Sequence, residues 1–263
     1  MRESWDRRIH RAEQLAAADN PAASLLHFYA GLLRWQRTLA DSLADRRTVA
    51  SAGSLPRDLI AIRAHATTLL RTVSDTGPDP LVLEARRLLA GPEHALDDLL
   101  LEYWRDPSDR QFFAKATLQP YAQWLRETGV EPVRTERART DNRCPFCGGA
   151  PQLSVLQAPP ENPIEGGGRS LLCSMCLSAW PFRRVLCPHC AEDDERQLGY
   201  FQSPAFDHIR LDVCETCHHY LKTIDLTRCG LAVPIVDEVA AATFDLWARE
   251  HGYEKIELNL VGL

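Results

Sequence analysis

The feature that most constrains this chain is the arrangement of its cysteines. Eight of the nine form pairs with the spacing C-x-x-C, which are Cys144/Cys147, Cys173/Cys176, Cys187/Cys190 and Cys214/Cys217. Random scattering of nine cysteines over a chain of this length would produce roughly 0.3 such pairs. The four pairs therefore reflect a chemical requirement, and this spacing is typical of metal binding.

Two thiolates on one tight turn can reach the same ion, at about 2.3 Å for zinc, and two such turns complete a tetrahedral site. An internal repeat indicates which turns join, since 43 residues separate the first pair from the third and 41 separate the second from the fourth. We therefore expect one site from Cys144, Cys147, Cys173 and Cys176, and another from Cys187, Cys190, Cys214 and Cys217. Interleaved pairing, as in cross-braced modules, stays open because spacing alone does not exclude it.

The expected cofactors are two metal ions, Fe or Zn, each bound by four Cys, because cysteine spacing does not distinguish these metals. Each repeat is typical of a zinc ribbon or a rubredoxin-like module, and a unit of about 40 residues needs the metal to fold. A closed four-thiolate shell offers no open position to a substrate, which disfavours hydrolytic catalysis. A thioredoxin-like motif is also disfavoured, because Gly148-Gly149-Ala150-Pro151 after Cys147 is a poor helix start.

We do not expect four further residues near the pairs to bind metal. His189, His218 and His219 lie within or directly after C-x-x-C motifs, but eight thiols already complete two sites, so we expect these histidines to be non-ligands. Cys229 is unpaired, and we expect a small buried hydrophobe or an idle thiol there.

The first 143 residues contain no cysteine and show apolar residues at helical spacing. The two clearest stripes comprise Leu25, Phe28, Tyr29, Leu32, Leu33, Leu39 and Leu43, and then Leu59, Ile62, Leu69, Leu70 and Val73. Proline, glycine and capping residues divide this half into five or six predicted helices. The last two are rich in aromatic residues, namely Tyr103, Trp104, Phe112, Phe113, Tyr121 and Trp124. Their helical periodicity favours a bundle core over a partner groove.

The expected fold class is a multidomain α+β protein: an N-terminal all-α helical bundle followed by two tandem rubredoxin-like/zinc-ribbon modules and a C-terminal helix. The expected segments are the bundle at 1–135, the first metal module at 142–184, the second at 185–230, and a C-terminal helix with a docking tail at 231–263. A polar linker is expected near 130–140. One helix is predicted over 234–249, and the alternating segment 256–260 is either a short edge strand or a docking segment.

The charge balance bears on partners and location. Thirty basic and 36 acidic residues give a formal net charge of −6, the wrong sign for holding nucleic acid by phosphate neutralisation. Between 141 and 230 there are 11 acidic and 8 basic residues, so we expect no nucleic acid as a partner. The charged first residues are unlike a secretory signal, and no window is apolar enough to span a bilayer. We therefore expect a cytoplasmic protein without membrane insertion, in which thiols stay reduced.

These motifs resemble the formate dehydrogenase accessory protein FdhE family. The resemblance lies in Cys144-Pro145-Phe146-Cys147-Gly148, in Leu172-Cys173-Ser174-Met175-Cys176 with Trp180 and Arg184, in Cys187-Pro188-His189-Cys190, and in Cys214-Glu215-Thr216-Cys217-His218-His219-Tyr220-Leu221-Lys222 with Asp225. The last motif is the most specific. Flanking similarity extends to Gln119-Pro120-Tyr121, to Asp237-Glu238-Val239 through Asp245-Leu246, to Gly252-Tyr253 and to Asn259.

The resemblance implies a cytoplasmic helper, not itself an enzyme, that is needed to make active formate dehydrogenase, a molybdenum or tungsten enzyme often exported in folded form. It implies binding to the formate dehydrogenase catalytic subunit and iron in rubredoxin-like sites at all eight motif cysteines. One departure is that Leu177, Ala191 and His218 follow second cysteines where glycine would ease a left-handed turn. Two alternatives remain open, a zinc-ribbon protein that binds nucleic acid or an assembly, and a rubredoxin-like electron carrier. The oligomeric state is left open.

Overall fold

A computed structural model of the chain describes residues 2–45, 53–92, 94–108, 110–132, 142–157 and 168–263. Most of the expected linker lies outside these ranges. The described helices are α1 (Arg2–Ala17), α2 (Ala23–Asp45), α3 (Leu55–Thr76), α4 (Asp79–Ala90), α5 (Ala95–Arg105), α6 (Phe112–Thr128), α7 (Pro234–Ala240) and α8 (Ala242–Glu250). The described strands are β1 (Pro151–Gln157), β2 (Gly168–Cys173), β3 (Ala179–Phe182), β4 (Leu198–Gln202), β5 (Ile209–Cys214), β6 (His219–Asp225) and β7 (Glu254–Lys255). The predicted fold class is confirmed: helices come first, a sheet region with two cysteine clusters follows, and helices return near the C-terminus.

The helical half has six helices within the described ranges, in agreement with the five or six that the proline, glycine and capping residues predicted. The apolar stripe of α3 is buried from Leu59 to Val73, since one face of an amphipathic helix must leave water. The predicted core role of the aromatic residues is also confirmed, because five of the six are at most 5% exposed and Phe112 is partly buried. Helix α6 lies at the centre, with thirteen consecutive buried residues from Phe113 to Leu125.

A proline inside α6 is accommodated by a side chain from α2. Pro120 has no N–H, so the carbonyl of Ala116 one turn earlier loses its helical donor. The Gln36 side chain, fully buried on α2, donates to that carbonyl at 2.9 Å. The same amide nitrogen lies 3.2 Å from Oε1 of Gln119. Because an unsatisfied buried carbonyl costs about 1–3 kcal/mol, this hydrogen bond makes the proline tolerable and ties α2 to α6.

The strands form one sheet in the order β3-β2-β1-β6-β5-β4, with β7 added beside β6. Within each repeat the pairing is antiparallel, between β1, β2 and β3 and between β4, β5 and β6. The repeats join through parallel pairing of β1 with β6, which places Ser154 opposite Thr223. Sequence periodicity predicts two tandem modules but carries no information on how they pair. That the two modules share one continuous sheet is therefore known only from the structure.

The C-terminal region differs from the single predicted helix. Helix α7 ends at Ala240 and α8 begins at Ala242, with Ala241 outside helical geometry at φ −91° and ψ 39°. Neither proline nor glycine marks this break, so the sequence carries no signal for it. Segment 256–260 contains no strand, and the short strand β7 lies directly before it.

A cluster of four charged side chains is buried between the sheet and the C-terminal helices. Lys222 of β6 donates to Asp245 Oδ2 at 2.5 Å and to the carbonyl of Glu238 at 2.6 Å. Lys255 pairs with Glu238 and lies 3.6 Å from Asp245. All four side chains are at most 1% exposed. Two cations balance two anions, which is how buried charges are tolerated. We refer to these four residues as the buried ion cluster.

Candidate metal centres

Each of the four C-x-x-C pairs lies on a turn beside the sheet. The residue after each second cysteine has a left-handed backbone, with φ values of 70° at Gly148, 53° at Leu177, 62° at Ala191 and 55° at His218. The departure noted in the sequence is therefore real, since three non-glycine residues adopt a conformation that favours glycine. In three of the turns the amide of this residue donates to the carbonyl of the first cysteine, at 2.8–3.0 Å.

Backbone amides also point toward sulfur in these turns. The amide of Met175 lies 3.4 Å from Cys173 Sγ, and the amide of His189 lies 3.4 Å from Cys187 Sγ. Such donors stabilise a thiolate, the form of cysteine that binds metal.

The sulfur atoms gather into the two expected quartets. In the first cluster Cys144 lies 3.5 Å from Cys176, and Cys147 lies 3.4 Å from Cys173. The second cluster comprises Cys187, Cys190, Cys214 and Cys217, with cross-pair sulfur distances of 3.7 and 3.8 Å. Within each quartet every sulfur is within 4.8 Å of the others.

These distances fit a tetrahedral ion. Metal–sulfur bonds of about 2.3 Å place ligand sulfurs about 3.8 Å apart, which the second cluster matches and the first approaches. None of the nine cysteines forms a disulfide, and the quartets follow the repeat and are not interleaved. Cys229 belongs to neither quartet and is partly buried against the core. Both clusters could hold metal ions, and a bound ion would supply a cross-link between two turns. That these eight residues are ligands stays a prediction.

The first cluster is buried against the helical half. Its four cysteines are at most 4% exposed. Gln119 on α6 donates to the carbonyl of Ser174 at 2.8 Å, and Arg126 donates to the carbonyl of Cys176 at 2.8 Å. Helix α6 therefore holds the turn that carries the third and fourth sulfurs of this site. The position is suited to a structural ion between helices and sheet.

The second cluster is open to solvent. Cys190 is exposed and Cys217 is partly exposed, whereas Cys187 and Cys214 are buried. Two imidazoles lie beside it, because His189 and His219 stack with ring centroids 3.6 Å apart. The two sites therefore share a ligand type and differ in access. Sequence spacing contained no signal for that difference.

The environment shifts the thiol pKa values strongly. Burial raises the pKa of Cys187 to about 11 and raises the pKa of Cys173 well above its ordinary value. Hydrogen bonds from the neighbouring thiols, first from Cys147, hold the pKa of Cys144 far below its ordinary value. Thiols with a raised pKa are protonated at neutral pH without an ion. Metal binding would therefore release protons, and affinity should fall as the pH falls.

None of the helices in the described ranges is long and apolar enough to cross a bilayer.

Comparison with known proteins locates the similarity along the chain. Residues 185–261 match the family model described as FdhE, C-terminal domain. A protein FdhE homolog from Aquifex aeolicus is 37% identical over 153 residues, which cover 58% of this chain and 52% of that relative. A protein FdhE homolog from Pseudomonas aeruginosa is 27% identical over an alignment of 297 positions, gaps included, that covers 99% of this chain and 90% of the relative. The chain thus aligns with about half of the first relative and most of the second.

The solved structures include a similar fold. The crystal structure of the FdhE protein from Pseudomonas aeruginosa superposes with a TM-score of 0.69 and 24% identity, covering 99% of this chain and 96% of that one. At 24% identity this match shows that the two proteins share a fold and shows nothing about their roles. The match of residues 185–261 to the family model and the similarity to the two relatives agree with the resemblance that the cysteine motifs indicated.

Proposed function

We propose that this chain is a non-enzymatic accessory protein of the cytoplasm that binds the catalytic subunit of formate dehydrogenase during its maturation. The proposal is supported by the similarity to FdhE proteins and by two four-cysteine clusters, one buried and one partly exposed, that would stabilise the fold when they bind metal. The single observation that carries it is an exposed aromatic strand at the end of the sheet, in the same repeat as the open cluster.

This docking surface, which we call the aromatic edge, consists of Tyr200, Phe201 and Trp247. In the described part of the chain β4 pairs only with β5, so its other side offers unpaired backbone groups. Tyr200 is 60% exposed on one face of the strand. Phe201 is 39% exposed on the other face and packs on Trp247 with ring centroids 4.3 Å apart.

An edge strand with aromatic side chains on both faces is suited to strand addition by an extended segment of a partner. The backbone then supplies hydrogen bonds, and the aromatic rings supply contact area. Such an edge favours aggregation unless another chain covers it. We therefore place the contact with the catalytic subunit at the aromatic edge.

A pull-down between the purified chain and the catalytic subunit tests this proposal. The Tyr200→Ser/Phe201→Ser variant should retain at most a tenth of wild-type binding and should fail to support formate dehydrogenase activity in cells that lack the native chain. The matched control is Leu83→Ser, which removes a side chain that is 69% exposed on α4. Metal content and circular dichroism should be unchanged in both variants.

Two results would count against the proposal. Equal capture by wild type and the aromatic-edge variant would show that the aromatic edge is not the contact with the catalytic subunit. The proposed accessory function would be refuted if the metal-loaded wild-type chain captured no catalytic subunit and formate dehydrogenase matured normally without the chain.

A second candidate function is one-electron transfer, and the exposure of Cys190 in the second cluster favours it. Iron in a four-thiolate shell changes between two oxidation states, and an exposed ligand shortens the path to a redox partner. An iron-loaded chain should then be coloured and bleach reversibly on reduction. A colourless, zinc-loaded protein isolated under anaerobic conditions would exclude this role.

A further inference from the structure

Two histidines and one cysteine beside the second cluster lie close enough together to hold a metal ion. A ring nitrogen of His189, a ring nitrogen of His219 and Cys217 Sγ all lie within 4.8 Å of one another. His189 is exposed, and the other two residues are partly exposed. The group is therefore open to an ion from solvent, and its sulfur also belongs to the second quartet.

The hydrogen bonding of His219 leaves one of its nitrogens available to a metal. Its Nδ1 lies 2.8 Å from the carbonyl oxygen of Cys217. A carbonyl only accepts, so Nδ1 donates the hydrogen bond, and in the neutral ring this leaves the lone pair on Nε2. Metal-ligating histidines commonly have this arrangement, in which a backbone carbonyl orients the ring through the other nitrogen. The Nε2 atom also lies 4.0 Å from the exposed carboxylate of Glu254, a neighbouring negative charge.

The internal repeat shows that these imidazoles are not required by the turns themselves. In the first repeat the position of His189 is occupied by Phe146, and the position of His219 is occupied by Ser178. Ser178 there lies 3.1 Å from Cys176 Sγ and serves its own cluster. The same turn thus forms with phenylalanine and serine, whereas the second repeat carries two imidazoles on the solvent side of its sulfurs.

Charge favours an ion at this position. Four thiolates around a divalent ion carry a net charge of −2, and a ligated thiolate keeps lone pairs that can bridge to a second ion. Cys217 is the partly exposed sulfur that faces the two rings. Borderline transition ions accept both imidazole and thiolate ligands.

We propose that His189, His219 and Cys217 form a third metal site, which takes a divalent transition ion such as Zn²⁺ and shares the Cys217 sulfur with the second cluster. The rings are stacked, with 10° between their planes. Since a ligated ion lies near the plane of each imidazole, the stack opens when the ion binds. The site requires a metal in the second cluster and does not depend on binding to formate dehydrogenase.

Metal stoichiometry tests the third site. Untagged, fully reduced protein is freed of metal and titrated with Zn²⁺ in competition with a chromophoric chelator. Wild type should take up three equivalents, of which the third is the weakest. The His189→Phe/His219→Ser variant, which copies the residues of the first repeat, should take up two. The control His218→Leu, which copies Leu177 at the matching position, should keep three.

Nuclear magnetic resonance of the imidazole nitrogens gives a second readout. The third equivalent should shift the ring signals of His189 and His219 and leave those of His251 unchanged. Two equivalents in wild type, or three in the repeat-copy variant, would overturn the proposal. Uptake of only one equivalent would also overturn it, because the third site needs an ion in the second cluster beside it.

Discussion

Replacing Lys222 with methionine removes one of the two cations from the buried ion cluster while keeping a long apolar side chain in its place. The lysine is fully buried, and its ammonium group contacts Asp245 and the carbonyl of Glu238. Burial lowers the pKa of Lys222, so its charge is held only at a cost. After the change one cation, Lys255, faces two buried carboxylates.

The expected loss of stability follows from this imbalance. Removing one partner of a buried ion pair costs about 3–5 kcal/mol, because the remaining charge stays in a low dielectric without compensation. For a chain of this size the loss corresponds to a fall in melting temperature of roughly 6–20 °C. The exposed pair of Arg37 with Asp6 provides the contrast, since its side chains are 42% and 60% exposed. We expect Arg37→Met to cost less than about 1 kcal/mol.

Thermal unfolding followed by circular dichroism, with all proteins loaded with the same metal, measures both effects. A second variant, Lys222→Met/Asp245→Asn, should recover at least half of the loss, because it removes the unpaired charge and keeps an acceptor for Tyr220. If Lys222→Met melts within 2 °C of Arg37→Met, the buried ion cluster contributes little, and the reasoning is wrong.

Two further predictions concern metal and protons. In protein loaded with two equivalents of metal, a chelator should remove the ion of the exposed second cluster at least tenfold faster than that of the buried first cluster, and Cys190→Ser should abolish the fast phase and leave a slow one; a single phase in wild type would contradict the difference in access. The hydrogen bond to Asp237 raises the pKa of His208 above its ordinary value near 6.5, so the protonated ring stabilises the fold fully below that pH and the gain is lost as the pH rises through the raised value. The difference in melting temperature between wild type and His208→Gln should therefore be larger at pH 5.5 than at pH 8.5, and a constant difference would refute this linkage.

Features that depend on local spacing were predictable from the sequence. The C-x-x-C turns bring their own two sulfurs together, and the repeat indicated the quartets because its offsets of 43 and 41 residues place corresponding turns in the same order in both units. The apolar stripe from Leu59 to Val73 predicted a buried helix face for the same reason. The match to FdhE proteins then rested on residues that the sequence already displayed.

Features that depend on distant parts of the chain were not predictable. From the sequence alone, Lys222 and Asp245 are expected to be solvated charges. In the fold Lys222 Nζ lies 2.5 Å from Asp245 Oδ2, and both side chains are buried. Gln36 has no visible reason to be buried until Pro120 on another helix leaves a carbonyl without a donor. The stacking of His189 on His219 likewise follows from the closing of two turns 30 residues apart. Metal identity and the client surface stay predictions.

The parallel pairing of β1 with β6 has a mechanical consequence for the two cysteine clusters. A flexible joint would let each repeat gain or lose its ion independently. Here a shared ladder of hydrogen bonds runs from one repeat into the other, so fraying around an empty cluster weakens strands that the neighbouring repeat also uses. Occupancy of the two clusters should therefore be cooperative, with the ion at the shielded cluster improving retention at the accessible one.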